Sequence, residues 1–223
     1  MNINELINKK GLKIFIICRL NSKRLKNKLK KKIINKSLLE ILILRLLSKF
    51  DRKHLVICTT GKKNKFFSIL SHKYKIKIFY GSEKNLFKRL IDCAFKYKTK
   101  HFVRITGDNP MTDLDTINKM IQIYFKKKLH YIYTNGLFPG LKPEIFSIYS
   151  LIKMCKLAVD PNSSEYLTYY YLRKNFKKIY CLKIKKSEKE KNLSITIDKM
   201  SDYLTLKNII RSSKDIYLDK KQI

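Results

Sequence analysis

Tryptophan is absent from this chain of 223 residues, and glycine (6), proline (4) and arginine (8) are scarce. With so few glycines and prolines, no linker is long enough to divide the chain into domains. No internal repeat is present. Long apolar runs are missing too. The longest, Leu38 to Leu47, is broken by Glu40 and Arg45, which excludes a membrane-spanning helix. The five cysteines (Cys18, Cys58, Cys93, Cys155, Cys181) stand singly with no CxxC pair, which argues against a disulfide framework and a zinc site. His54, His72, His101 and His130 also stand alone, so there is no histidine-based metal motif. The first apolar run is short and Arg19 follows it, which does not fit a signal peptide. A reducing, cytoplasmic location without membrane insertion is the expectation.

Acidic residues are the other shortage. Seventeen Asp and Glu face 51 Lys and Arg, for a formal net charge of +34. Such a balance ordinarily suggests nucleic acid. Here 43 of the basic residues are lysines scattered over almost every segment, alongside abundant Ile and Asn. That joint bias reads as compositional drift toward Lys, Ile and Asn, and no specific nucleic-acid partner is expected. The charge still attracts polyanions and speeds the encounter with anionic substrates, both less so in salt. Hydrophobic residues make up 44% of the chain, enough for one α/β domain with a real core.

Short apolar runs alternate with helical patterns through the first two-thirds. Strands are expected at Lys13–Cys18, Leu55–Thr59, Ile76–Tyr80, His101–Thr106 and His130–Thr134. Helices are expected from Ser37 to about Lys49, over about Asn64–His72 and Asn85–Lys98, and from Asp113 to about Lys127. This rhythm indicates βαβ units and a mostly parallel sheet. After Asn135 the rhythm changes. Glu144–Ile148 and Lys178–Lys185 read as strands around helices at about Ser150–Val159 and Ser163–Lys174, with a solvated loop over Lys186–Asn192. Ser194–Ile197 reads as a buried strand and Ser201-Asp202 as the start of a last helix, with fraying from about Ser213.

The run Arg19-Leu-Asn-Ser-Lys-Arg-Leu-Lys-Asn-Lys28 carries five cationic side chains directly after an apolar strand. The carboxyl end of a strand is where open α/β sheets place ligands, and Arg and Lys are phosphate partners. In a lysine-rich chain the other reading is a solvated charge run. Three further segments keep it company: Gly81-Ser82 to Arg89, Arg104-Ile-Thr-Gly-Asp108-Asn-Pro110, and Leu193-Ser-Ile-Thr-Ile-Asp198-Lys-Met-Ser-Asp202.

With these segments the chain resembles the cytidylyltransferases that make CMP-activated sugars, the group of CMP-Kdo synthetases and acylneuraminate cytidylyltransferases. It is particularly similar to the branch typified by the spore coat polysaccharide biosynthesis protein F. Arg19, Ser22, Arg24 and Lys28 match that branch's R-L-x-S-x-R-L-P-G-K. Gly81, Ser82, Asn85 and Arg89 match its G-S-x-x-(D/N)-(V/L)-L-x-R, and Arg104 to Pro110 its R-x-T-G-D-x-P. Gly140, Glu144 and Phe146, then Glu165 to Thr168, then Ile195 to Asp202 match three more motifs, in order. The resemblance implies a Rossmann-like α/β domain over residues 1–223 and a homodimer built on a smaller excursion at about 140–185. The reaction it implies joins CTP and a sugar acid into a CMP-sugar, releasing pyrophosphate, with Mg²⁺.

Asp108 and Asp198 follow separate apolar stretches and can reach one crevice. The resemblance makes them metal ligands, while on their own they read first as a turn residue and a helix cap. Mg²⁺ suits one or two carboxylates completed by phosphate oxygens and water. Arg19, Ser22, Lys23, Arg24 and Lys28 are candidates for phosphate contacts, with Lys28 also placed to stabilise the departing pyrophosphate; Lys26 reads as solvated. Catalytic candidates are Lys28, Arg19 and Asp108. Gly81-Ser82 lies near the nucleoside or is an ordinary turn. Arg89 is on the substrate side or on the surface. Arg104, inside a strand, needs a carboxylate or substrate to pair with. Glu144 and Glu165 touch the sugar or build the excursion, and Asp202 reads as a helix-start residue.

The chain departs from the family's pattern at Lys26-Asn27, which replaces Pro-Gly, and at Tyr166, which replaces His. Asn27 tolerates positive φ, so the turn should survive. Competing readings are another sugar nucleotidylyltransferase, for which the usual G-x-G-T-R loop is missing, and a glycosyltransferase. For the latter, the D-x-D-like Asp113-Leu-Asp115 falls at a helix start. A noncatalytic homologue and a basic nucleic-acid-binding protein complete the alternatives.

Overall fold

The computed structural model describes residues 2–22, 24–157, 177–184 and 194–219. Nine strands and seven helices are seen among them. The strands are β1 (Leu12–Ile17), β2 (Lys32–Ile33), β3 (Lys36–Ser37), β4 (Leu55–Thr60), β5 (Lys77–Gly81), β6 (His101–Thr106), β7 (Tyr131–Asn135), β8 (Glu144–Ser147) and β9 (Ile179–Lys183). The helices are α1 (Ile3–Lys10), α2 (Leu38–Leu47), α3 (Lys65–Tyr74), α4 (Leu86–Lys96), α5 (Leu114–Lys126), α6 (Ile148–Leu157) and α7 (Met200–Ser213). Helix α1 and the β2–β3 hairpin are additions to the sequence reading. The expected helix at Ser163–Lys174 and the loop at Lys186–Asn192 lie outside the described residues.

Seven strands form one sheet in the order β5-β4-β1-β6-β8-β7-β9. All neighbouring pairs are parallel except those of β8, which runs antiparallel to β6 and β7. The chain leaves β1 toward β4 and β5 and later returns to place β6 on the other side of β1. That reversal is a topological switch point, and it opens a crevice beyond the carboxyl ends of β1 and β6.

Both ends of the expected excursion prove to be sheet strands. β8 sits between β6 and β7, and β9 extends the sheet beyond β7. The reason is chemical for β8: Ile145 and Phe146 are fully buried, one on each face, and Glu144 lies in register with Arg104. On one face an aromatic ladder crosses four strands, with ring centroids of Phe15–Phe102 4.8 Å apart, Phe102–Phe146 5.4 Å and Phe146–Tyr131 4.7 Å. Helices α4 and α6 cover that face. The opposite face packs Ile14, Ile16, Ile57, Val103 and Ile105 with Leu42 of α2 and Ile117 and Ile121 of α5.

Local chemistry sets the helix limits. Ser37 and Glu40 form a reciprocal capping box at the start of α2, as its sequence spacing predicts. Several helix ends carry lysine where glycine is usual: Lys75, Lys98, Lys128 and Lys214 all have φ between 48° and 55°. Asn27, at φ 53°, adopts the left-handed turn expected of it.

Two expectations are corrected. Ser194–Ile197 is extended and its isoleucines are buried, but it is not a sheet strand. Its amides bond to two separate loops, Ile195 N–H to the Pro139 carbonyl and Ile197 N–H to the Asp108 carbonyl, both at 3.0 Å, so no ladder forms. The C-terminal segment does not fray at Ser213. The buried Arg45 guanidinium donates to the Ile216 carbonyl (2.9 Å) and the Leu218 carbonyl (2.7 Å), and Leu218 is 3% exposed.

His54 and His101 are held neutral chiefly by burial, each with its pKa pulled down to about 4, and nearby lysines act in the same direction. His54 is 1% exposed, with both ring nitrogens lacking a hydrogen-bond partner. Unfolding lets both rings take up protons between the folded value near 4 and the ordinary value of 6.5. Stability therefore falls as pH drops through that window, by at most about 1.4 kcal/mol per pH unit for each ring. Urea midpoints measured at pH 7.5, 5.5 and 4.5 should decline accordingly, and His54→Phe should flatten the decline.

Candidate active site

The strand ends at the switch point supply the site. β1 leads through Cys18 into the cationic loop, and that loop turns at Asn27 into the short 3-10 turn Lys28–Lys30. β6 leads into Gly107-Asp108. The two loops are tied by the Gly107 N–H donating to the Ile17 carbonyl at 2.8 Å. A Cβ on Gly107 would lie 2.8 Å from the Cys18 Cβ, so a side chain there would force the loops apart.

Three sequence-predicted residues meet at one point. The Lys28 ammonium donates to Asp108 Oδ2 at 2.6 Å, to Asp198 Oδ1 at 3.2 Å and to the Ile197 carbonyl at 3.0 Å. Arg24 reaches the same Asp198 oxygen with Nη2 at 2.9 Å, although its side chain is 67% exposed. Two carboxylates from distant parts of the chain thus converge on a single cationic centre. Among the described residues no group of three or more His, Cys, Asp and Glu is arranged to hold a metal ion. A pair of carboxylates beside a cationic loop fits a hard divalent ion that takes one or two carboxylates and completes its shell with other oxygens; it does not fit a zinc cage.

Asp198 is positioned by its surroundings. Asp202 Oδ2 accepts the backbone N–H of Asp198 (2.9 Å) and of Lys199 (2.8 Å), so Asp202 is the helix-start residue that its place before α7 suggests. Upstream, the 195–197 segment runs against Gly140. At Gly140 φ is +99°, and a Cβ there would sit 2.6 Å from the Ile195 carbonyl carbon and the Thr196 nitrogen.

Arg104 and Glu144 form a cross-strand ion pair, and the other Glu144 oxygen accepts the Tyr131 hydroxyl at 2.5 Å. The need for a partner to Arg104 was legible in its strand position; Tyr131 was not. Arg89 is not on the surface. It is 6% exposed and donates through Nη1 to the Ser82 carbonyl at 3.1 Å, bracing the Gly81-Ser82 turn. Burial pulls its pKa below the ordinary value; Arg19 and Arg104 press the same way, while Cys58 and Cys18 oppose them. Gly81 allows this contact, since a Cβ there would lie 2.8 Å from Arg89 Cγ. Arg19 stands exposed at the end of β1, Ser22 is half-buried, and Lys26 is exposed. Lys23 and Glu165 lie outside the described residues, as does Tyr166.

The profile of the cytidylyltransferase family matches residues 14–223. The chain belongs to the cytidylyltransferase family. It is accordingly a nucleotidyltransferase that uses CTP. It is 31% identical over 210 residues to an uncharacterized protein of Methanocaldococcus jannaschii, a match covering 93% of this chain and 86% of the relative. It is 28% identical over 210 residues to the spore coat polysaccharide biosynthesis protein SpsF of Bacillus subtilis, covering 90% and 87%. A cytidylyltransferase from Leptospira borgpetersenii shares the fold with a TM-score of 0.84 at 23% identity, over 94% of this chain and 90% of that one. A CMP:2-keto-3-deoxy-manno-octonic acid synthetase in complex with CTP superposes with a TM-score of 0.71 at 12% identity, over 91% and 99%. The mostly parallel seven-stranded sheet agrees with these neighbours. No helix among the described residues is long and apolar enough to cross a membrane.

A Gly140→Ala variant should lose about 1–3 kcal/mol of stability, from left-handed backbone strain and the clash with Ile195. Because the displaced segment leads into Asp198, turnover should fall more than the melting temperature alone accounts for. Thermal melts and activity measured on the same samples check this.

Proposed function

We propose that this cytidylyltransferase transfers CMP from CTP to the hydroxyl of a sugar acid of the Kdo or nonulosonic type, releasing pyrophosphate, with Mg²⁺ as cofactor. The observation that carries the reading is the meeting of Asp108 and Asp198 at one cation, at the switch point and beside the Arg19–Lys28 loop. Asp108 and Asp198 would hold the metal, which would supply charge neutralisation at the triphosphate and a lowered pKa at the acceptor hydroxyl.

The protein's own groups do the positioning. Arg19, Ser22, Lys23, Arg24 and Lys28 take the triphosphate oxygens, and Lys28 stabilises the charge on the departing pyrophosphate. The Gly81-Ser82 turn, braced by Arg89, receives the nucleoside. Arg104 is held in place by Glu144 and lies below the crevice as a positive charge facing the anionic substrates. Nucleotidyl transfer depends mainly on such alignment and charge stabilisation, so few dedicated acid–base groups are needed. An acidic acceptor suits a chain with a net charge of +34, whose field draws both substrates in. The spore coat polysaccharide name of the Bacillus subtilis relative supports a role in surface glycan synthesis. A homodimer built around residues 140–185 completes the proposal. Its support is the outer edge of β9, which pairs with no further strand among the described residues, and the 45% exposed Leu157.

The test is pyrophosphate release from CTP with Kdo and a panel of nonulosonic acids, with and without Mg²⁺. Asp108→Asn and Asp198→Asn should each reduce turnover at least about a hundredfold while keeping a cooperative thermal transition. Full activity in the double variant, or activity independent of any divalent ion, would refute the assignment.

A further inference from the structure

We propose that Lys28 serves as an internal cation. In the nucleotide-free enzyme it occupies the carboxylate pair and excludes bare metal ions, and it leaves for the triphosphate when CTP arrives. The inference rests on the reading of Asp108 and Asp198 as metal ligands.

The ammonium is saturated where it stands. It has three protons to donate and three oxygens around it, from Asp108, Asp198 and the Ile197 carbonyl. Its side chain is only 10% exposed, so the contacts act in a shielded setting. A divalent ion seeking both carboxylates must break these contacts and turn out a buried charge. Arg24 poses no comparable obstacle, since its side chain is largely in solvent. The backbone keeps Lys28 in place: its N–H donates to the Leu25 carbonyl at 3.2 Å, and its own carbonyl accepts from Lys31 at 3.1 Å.

Charge balance shows why the position must be filled. Without Lys28, the Asp108 and Asp198 carboxylates would face each other with, among the described residues, only the Arg24 ion pair to Asp198 to offset them. Like charges at such separation are costly. An ammonium built into the loop relieves that cost in the empty enzyme. CTP then offers phosphate oxygens as alternative acceptors, and the ammonium can move to them without losing its hydrogen bonds. Its departure frees the carboxylates for the ion that accompanies the nucleotide. Nucleotide and metal binding are thereby linked beyond their direct contact, and the linkage is reciprocal. A lysine with a purely structural role would leave metal affinity unchanged, or weaken it, when replaced.

The experiment titrates Mn²⁺ alone into the full chain and follows free Mn²⁺ by electron paramagnetic resonance. Wild type is compared with Lys28→Met, Lys28→Gln and Asp108→Asn, each also melted with and without Mn²⁺. Both Lys28 variants are expected to bind Mn²⁺ at least tenfold more tightly than wild type in the absence of nucleotide. They should also melt lower than wild type in its absence and recover when it is added. Adding Asp108→Asn to Lys28→Met should abolish the gain. Adding CTP, corrected for the Mn²⁺ it holds in solution, should tighten Mn²⁺ binding by a larger factor in wild type than in either Lys28 variant. If a folded Lys28 variant binds bare Mn²⁺ no more tightly than wild type, the internal-cation role is overturned. In that event Asp108-dependent Mn²⁺ binding in the presence of CTP still supports the metal reading by itself. If Mn²⁺ binding never depends on Asp108, with or without CTP, both readings fall together.

Discussion

One ammonium group, shared by carboxylates from two distant stretches of chain, organises the working end of this molecule. Lys28 comes from the loop after β1, Asp108 from the loop after β6, and Asp198 from the segment that crosses both. None of the three segments could hold its charge alone at this burial without a large desolvation cost. Together they register the loops against each other. The Ile197 amide and the Asp108 carbonyl add a backbone tie at the same place. Precise placement of the carboxylates thus follows from electrostatics and backbone bonding acting on the same few residues.

The sheet beneath provides the rigidity that this arrangement needs. The aromatic ladder from Phe15 to Tyr131 fixes the spacing of four strands, and the pair of Arg104 and Glu144 continues the same face toward the crevice. Inserting β8 antiparallel between β6 and β7 brings Glu144 beside Arg104, which a purely parallel arrangement would not supply. The polar pair is therefore a product of topology as much as of residue choice.

Most of this was legible in the chain. Apolar runs flanked by turn residues marked five parallel strands, and Ser37 with Glu40 marked a helix start. The six motifs placed the family and, in it, Lys28, Asp108 and Asp198. What escaped was three-dimensional in origin. Ser194–Ile197 has the composition of a strand, yet its hydrogen-bond partners are carbonyls in two loops, which no local pattern reveals. Glu144–Ser147 looked peripheral because sequence order says little about sheet order. For Arg89 the sequence left a surface position open, because a lysine-rich helix hides which of its cations points inward. Arg45 gave no sign that it would clasp the C-terminal segment, since its two acceptors lie some 170 residues away in the chain.

The lysines at φ near 50° that close α3, α4, α5 and α7 connect composition to energetics. A left-handed conformation costs an L-residue roughly 1 kcal/mol or more that glycine avoids. Lysine returns part of this cost, because its charge sits against the negative end of the helix dipole. Glycine scarcity has therefore shifted helix termination from conformational freedom to electrostatics. Raising ionic strength should accordingly loosen these helix ends more than it would in a glycine-terminated relative of the same fold.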